Sequence, residues 1–131
     1  LLDRIDIQIE VTTVAFSELS SERPAESSEK IRERVIKARA IQSNRFENNK
    51  GVYCNAQMSA KVLRTICKID ENGQILLKNA MEKLGLSARA YDRILKVART
   101  IADLESSETI QNQHLAEAIQ YRSLDREGWG G

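Results

Sequence analysis

The chain has 131 residues, 41% of them hydrophobic, and its 20 Lys and Arg against 19 Asp and Glu give a formal net charge of +1. This length predicts one domain with a buried core, and the near-neutral charge excludes a strongly basic module that binds nucleic acid through bulk charge. No apolar run approaches the roughly 20 residues that cross a bilayer, so we expect a cytoplasmic protein without a membrane partner. Two cysteines and one histidine cannot complete a four-ligand zinc site, and we predict no metal ligands.

The first residues have a pattern typical of a strand. Apolar and polar residues alternate over positions 5–11, which predicts one short, half-buried strand. A single strand lacks a partner for its hydrogen bonds, so it either pairs with a sheet outside this sequence or lies loose, and we interpret it as left over from that sheet. Residues 13–28 have little periodicity and contain Pro24, which predicts a linker that ends in capping serines.

Helical periodicity begins after Ser27 and Ser28, which are both suitable N-caps. It predicts a long helix over residues 29–45, with an apolar stripe that consists of Ile31, Val35, Ala38 and Ile41. Further helices are predicted over residues 59–67, about 74–84, 87–104 and 112–122. Gly85 is placed to end one of them in the left-handed conformation. The sequence therefore predicts an all-α fold, a small bundle of four to five helices with one N-terminal strand.

The most informative motif is Ser87-Ala88-Arg89-Ala90-Tyr91-Asp92-Arg93, at the start of a predicted helix. Its two arginines lie one turn apart, with Lys96, on a ridge beside the buried stripe. Guanidinium groups bind phosphate through paired hydrogen bonds, so the motif indicates an anion site, although a solvated basic face would have the same spacing. No G-x-x-x-x-G-K-[ST] loop occurs, and the sequence opens in the middle of a pattern, so we interpret it as part of a larger ATPase.

Several motifs occur in order along the chain. They are Leu1-Leu2-Asp3-Arg4-Ile5-Asp6, Gln57 after Asn55-Ala56, Leu86-Ser87-Ala88-Arg89-Ala90-Tyr91-Asp92-Arg93, Ala98-Arg99-Thr100-Ile101-Ala102-Asp103-Leu104 and Glu117-Ala118-Ile119-Gln120-Tyr121-Arg122. Together they resemble the C-terminal part of magnesium-chelatase-like AAA+ ATPases of the ComM type. The resemblance implies a helical lid that follows a nucleotide-binding α/β core. It divides the chain into a core remnant at 1–12, the linker at 13–28, the lid at 29–124 and a flexible tail at 125–131.

The resemblance also implies roles for three arginines. Arg89 would be the sensor-2 arginine that contacts a phosphate of ATP bound in the same subunit, and Arg93 is the alternative, unless it pairs with a carboxylate of the core. Arg4 would be the arginine finger that acts on ATP held by the neighbouring subunit, whereas its neighbours Asp3 and Asp6 alone would indicate a local ion pair. The implied cofactors of the full-length parent are ATP and Mg²⁺. The implied partners are its own core and the neighbouring subunits of a homo-oligomeric ring. Because both Walker motifs are absent from this sequence, we expect no hydrolysis by this chain alone.

Other functions stay open from the sequence. The helix over 29–45 has basic residues that either contact DNA or form a solvated surface: Lys30, Arg32, Arg34, Lys37 and Arg39. The alternative function is therefore a helical DNA-binding module of a DNA-processing protein, since the resemblance associates the ComM branch with DNA handling. A third reading is an adaptor that only holds subunits together. His114 has no second histidine or carboxylate cluster beside it, so we expect a surface or half-buried residue without a role.

Overall fold

A computed structural model describes residues 4–13, 15–20 and 25–122, and the elements within these ranges are helices. The helices are α1 (Phe16–Leu19), α2 (Ser28–Arg45), α3 (Ala60–Ile66), α4 (Glu71–Leu84), α5 (Ala88–Leu104) and α6 (Asn112–Gln120), and a 3-10 turn, Asn55–Gln57, precedes α3. The predicted all-α bundle is confirmed, with five helices and the single turn α1 ahead of them. No helix in the described ranges is long and apolar enough to span a bilayer. The tail predicted over 125–131 lies outside them.

Three helices begin at the serines that suit an N-cap. Ser27, Ser59 and Ser87 each accept a hydrogen bond from the backbone N–H three residues later, at 3.2 to 3.3 Å. These bonds satisfy N–H groups that have no partner within the helix. Gly85 follows α4 with φ of 62°, a conformation that a residue without Cβ adopts at little cost.

Helix α4 begins three residues before the predicted start at 74. Asp70 is its N-cap, because the Asp70 carboxylate accepts a hydrogen bond from the Gly73 N–H at 2.7 Å. Gly73 lies inside the helix, where an added Cβ would be 2.9 Å from Leu115 Cδ1. The glycine therefore allows α4 and α6 to approach each other closely.

Helix α5 is the centre of the bundle. Most of its predicted apolar stripe is buried, namely Ala90, Ile94, Val97 and Ile101. Only Leu104, at the C-terminal end of the stripe, is 38% exposed. Helices α2, α3 and α6 and the 3-10 turn pack against α5, whereas α4 packs mainly against α6. Side chains on the outer face of α5 are consequently held on a well-packed element.

The first half of α2 extends beyond the core. Of its predicted stripe, Ala38 is buried, but Ile31 and Val35 are 44% and 42% exposed. The helix is present as predicted, and the described residues provide no element that covers this face. Amphipathic periodicity therefore identified the helix but not the extent of its burial.

Residues 5–11 do not form the predicted strand. The segment has no strand partner in the described part of the chain, and a backbone hydrogen bond from the Gln8 N–H to the Tyr121 carbonyl oxygen, at 2.9 Å, joins it to the end of α6. The burial along the segment is the reverse of that expected for a half-buried strand. The polar Gln8 is only 8% exposed, while the apolar Ile7 and Ile9 are 52% and 66% exposed. The strand prediction is wrong for this structure because a ladder needs a neighbouring strand.

Candidate anion-binding site

Arg89 lies in the first turn of α5. The turn after Gly85 is short, and the Ser87 cap fixes the start of the helix, so the position of Arg89 is set by local structure. Its side chain is exposed. Within the described ranges, the guanidinium forms no hydrogen bond or ion pair. This arginine is therefore available to an external anion.

An open pocket of about 350 Å³ brings together the three arginines that the sequence singled out. Its lining consists of Arg4, Arg89, Asp92, Arg93 and Lys96. Arg4 comes from the N-terminal segment, and the others come from the first three turns of α5. The Arg4 side chain is exposed and, like Arg89, has no ion-pair partner among the described residues.

Arg93 differs from the other two arginines because it has a partner. Its Nη1 donates a hydrogen bond to Oδ1 of Asp6, and the two side chains remain 30% and 48% exposed. Asp6 lies in the segment that was predicted to be a core remnant. Pairing with a carboxylate of that segment was one of the two alternatives for Arg93.

Lys96 lies at the end of the pocket nearer the middle of α5. Its Nζ donates to the Ala56 carbonyl oxygen at 3.3 Å, so this cation is partly engaged. Four cationic side chains and the carboxylates of Asp6 and Asp92 thus meet on one surface. The excess of positive charge favours an anion with several oxygens.

A second charged cluster is buried near the C-terminal end of α5. Asp103, whose side chain is fully buried, accepts hydrogen bonds from Arg45 at 2.6 and 2.9 Å. Asn55 Nδ2 donates to the same carboxylate at 2.9 Å and to Thr100 Oγ1 at 3.0 Å. Arg99 Nη2 lies 3.2 Å from Asp103 Oδ1.

Arg99 connects this cluster to the loop before α6. Its Nη1 and Nη2 donate to the carbonyl oxygens of Glu108 and Ser107 at 3.0 and 2.6 Å. Burial lowers the pKa of the Arg99 guanidinium. The nearby Asp103 carboxylate has the opposite but smaller effect on that pKa. Because these groups bind one another, the cluster joins α2, the 3-10 turn and α5 and does not offer an anion site.

Other reactive groups do not form a site in the described residues. Burial raises the pKa of the Cys67 thiol to about 12, which keeps it protonated and unreactive. Among the residues that the structure describes, no group of three or more His, Cys, Asp or Glu side chains could hold a metal ion.

Comparison with known proteins identifies the family. The family described as magnesium chelatase, subunit ChlI C-terminal, matches residues 25–122. The chain belongs to this family. It is 42% identical over 126 residues to competence protein ComM of Haemophilus influenzae and 41% identical over 126 residues to protein YifB of Escherichia coli. Each of these comparisons covers 95% of this chain and 24% of the relative, so the chain spans about a quarter of the length of the curated relatives it matches.

Three of the motifs that carry the resemblance lie in two places. The motif at 86–93 contributes to the pocket, whereas the motifs at 55–57 and 98–104 supply Asn55, Arg99 and Asp103 to the buried cluster. Sequence reasoning missed the cluster because its partners are far apart in the chain. The available signal was the i,i+4 spacing of Arg99 and Asp103, which is equally typical of a solvent-exposed pair.

His114 is buried, 1% exposed, so the expected surface or half-buried position is wrong. Its Nδ1 accepts a hydrogen bond from the Gln111 N–H at 2.9 Å, which assigns the ring proton to Nε2. Nε2 then donates to Glu105 Oε2 at 2.7 Å, and this hydrogen bond lowers the pKa of the Glu105 carboxyl. The histidine thus stabilises the start of α6 and the turn before it.

Proposed function

We propose that this chain is the C-terminal helical lid of an AAA+ ATPase and that Arg89 contacts a phosphate of ATP bound by the core of the same subunit. The observation that carries the proposal is the exposed Arg89, which has no partner among the described residues and lies beside other cations in one pocket. Membership of the magnesium chelatase C-terminal family supports it. The chain contributes binding groups to the cytoplasmic parent enzyme and does not hydrolyse ATP by itself.

Arginine suits the task because phosphoryl transfer requires positioning and positive charge. The transition state spreads negative charge over the phosphate oxygens, and a guanidinium group, which is always protonated, can bind two of them at once. A lid arginine also makes lid closure depend on the terminal phosphate, since the closed state gains a contact that ADP does not provide. ATP hydrolysis is thereby converted into movement of the lid.

Arg4 would act across the interface between neighbouring subunits of a homo-oligomeric ring. Its exposure and lack of an ion-pair partner in the described residues support a role in contact with another molecule. The row of outward apolar side chains in the same segment supports its assignment to the core: Ile5, Ile7, Ile9 and Val11 are 44 to 84% exposed. In the parent, the core sheet would cover this face.

The residues of the pocket fit the phosphate chain of ATP but not its metal ion. Arg89 would hold the phosphate, and Arg93, the alternative contact, lies in the same pocket. The two nearby carboxylates, Asp6 and Asp92, do not form a group that could hold a cation. When bound to the parent, Mg²⁺ neutralises phosphate charge, and we assign its ligands to the core.

The test is Arg89→Ala in the full-length protein. We expect its ATPase rate to fall about a hundredfold, because one preorganised charged donor is lost. The matched control is Arg64→Ala, which removes an exposed arginine from α3, away from the pocket, and should leave turnover unchanged. Equal turnover in the two variants, with both folded by circular dichroism, would contradict the sensor role.

The finger role of Arg4 is tested by mixing two inactive proteins. Arg4→Ala should lower turnover about a thousandfold. A second variant, with its own phosphate-binding loop disabled, still offers Arg4 to a neighbour. Mixed rings should recover part of the activity if Arg4 acts in trans, and no recovery at any ratio would exclude that role.

The basic surface of α2 favours DNA binding as the second candidate function. Lys30, Arg32, Lys37 and Arg39 are all exposed there, whereas Arg34 pairs with Glu26. A DNA-binding module would bind duplex DNA with an affinity that falls steeply as salt rises and that Arg32→Ala with Arg39→Ala weakens. The lid proposal expects these two substitutions to leave the ATPase rate unchanged.

A further inference from the structure

One arginine of the pocket, Arg93, already has an anionic partner that belongs to the chain itself. Asp6 pairs with Arg93, and Asp6 follows Arg4 by two positions in the sequence. The contact therefore joins the helix that carries Arg89 to the segment that carries Arg4. The hydrogen bond from the Gln8 N–H to the Tyr121 carbonyl oxygen holds the same segment on the bundle two residues further on.

A carboxylate and a phosphate compete for the same donors of an arginine. Both accept paired hydrogen bonds from a guanidinium group. The Asp6–Arg93 pair is partly solvated, and ion pairs of that kind are weak. An oligophosphate carries more negative charge and more acceptor oxygens than one carboxylate, and it would contact Arg89 at the same time as Arg93. The exchange of Asp6 for phosphate is therefore favourable.

We propose that Asp6 is an internal competitor for the phosphate chain, which occupies Arg93 until an oligophosphate replaces it and thereby releases the segment that carries Arg4. This inference rests on the proposed function and concerns the regulation of the same pocket. It gives Arg93 two successive partners, first Asp6 and then phosphate. In the ring, a subunit that binds its own ATP would free its Arg4 to act on the ATP of the neighbour.

The first test measures binding of inorganic triphosphate to this chain by calorimetry, without Mg²⁺. Asp6→Asn removes the competitor, and Asp92→Asn is the matched control because it removes the same charge, next to Arg93 in the sequence and in the pocket lining, without an ion pair to Arg93. We expect Asp6→Asn to tighten binding about threefold more than Asp92→Asn, the range of a partly exposed ion pair. If the two substitutions tighten triphosphate binding equally, the gain comes only from the loss of a negative charge near the pocket. That result would overturn the proposal.

Arg93→Gln sharpens this comparison. With the shared arginine removed, Asp6 and phosphate no longer compete for it. In the Arg93→Gln background, Asp6→Asn and Asp92→Asn should therefore change the affinity for triphosphate equally. A difference that persists without Arg93 would contradict the competition. Because all three substitutions lie at exposed or half-buried positions, we expect each variant to remain folded.

The second test follows release of the segment directly. The Gln8 amide should exchange slowly with solvent in the free chain, because it is hydrogen-bonded to Tyr121, and faster when triphosphate is bound. Exchange that stays unchanged at saturation would overturn the proposal. A chain that binds no triphosphate would overturn it as well, whereas the lid function is decided separately by the ATPase rate of Arg89→Ala in the full-length protein.

Discussion

Two of the three arginines of helix α5 have opposite environments. Arg99 is 4% exposed and its guanidinium donates to two backbone carbonyl oxygens beside the Asp103 carboxylate. Arg89 is exposed and has no partner in the part of the chain that the structure describes. The same residue type, ten positions apart on one helix, therefore stabilises the fold in one place and is free to bind a ligand in the other. Burial and available partners distinguish the two roles, whereas residue type does not.

The largest effect is expected at the Asp103 carboxylate, which binds the buried Arg99 and the half-buried Arg45. Asp103→Ala leaves Arg45 and Arg99 without their shared acceptor, and breaking a buried ion pair in this way costs about 3 to 5 kcal/mol of unfolding free energy. Urea denaturation measures the loss. Asp92→Ala, at a half-buried position on the same helix, should change stability by no more than about 0.5 kcal/mol. Similar losses in both variants would mean that the buried cluster does not stabilise the fold.

A smaller effect is expected when Arg99 or Arg89 is replaced by lysine. Lysine cannot reproduce the fork with which Arg99 reaches Ser107, Glu108 and Asp103, so Arg99→Lys should cost about 1 to 3 kcal/mol of unfolding free energy. Arg89→Lys should leave stability within about 0.5 kcal/mol and, under the proposed function, lower only the ATPase rate of the full-length protein. Thermal or urea denaturation of the isolated chain separates the two outcomes. A clear loss of unfolding free energy in Arg89→Lys would mean that Arg89 also stabilises the fold, and would contradict the difference between the two arginines.

The smallest effect is expected at Glu105, which is exposed but bound to a buried histidine. Its folded-state pKa is lowered by the His114 hydrogen bond, so its contribution to stability is complete above the ordinary pKa of about 4.3 and is lost as pH falls through the folded pKa. The difference in unfolding free energy between the wild type and Glu105→Gln should therefore be present at neutral pH and shrink in acid. Urea denaturation as a function of pH measures it. Glu108→Gln, an exposed residue of the same loop, should show no such dependence.

Helix caps and helix ends could be predicted from the sequence because they depend on residues that are close together in the chain. The caps at Ser27, Ser59 and Ser87 and the left-handed Gly85 follow from residue type and position alone. The early start of α4 was missed because Asp70 and Gly73 are typical of a turn, and only the contact with Leu115 explains the glycine.

Features that depend on distant partners could not be predicted. The alternation over 5–11 is real, but whether it forms a strand depends on a neighbouring strand. Arg89 was identified as exposed and basic, and its position in the pocket matches the predicted ridge. By contrast, the Asp6–Arg93 pair joins positions 87 residues apart, and the Arg45–Asp103 pair joins positions 58 residues apart. No periodicity in a single sequence reports such contacts.

The turn between α4 and α5 has a mechanical consequence for Arg89. Gly85 and Leu86 both donate their N–H groups to the Met81 carbonyl oxygen, and Ser87 caps the next helix, so each residue of the turn is fixed. A hinge cannot form there without breaking these bonds. Any swing that carries Arg89 toward a nucleotide must therefore rotate α4 with it, and a bulky label on the outer surface of α4 should slow that swing even though it touches no ligand.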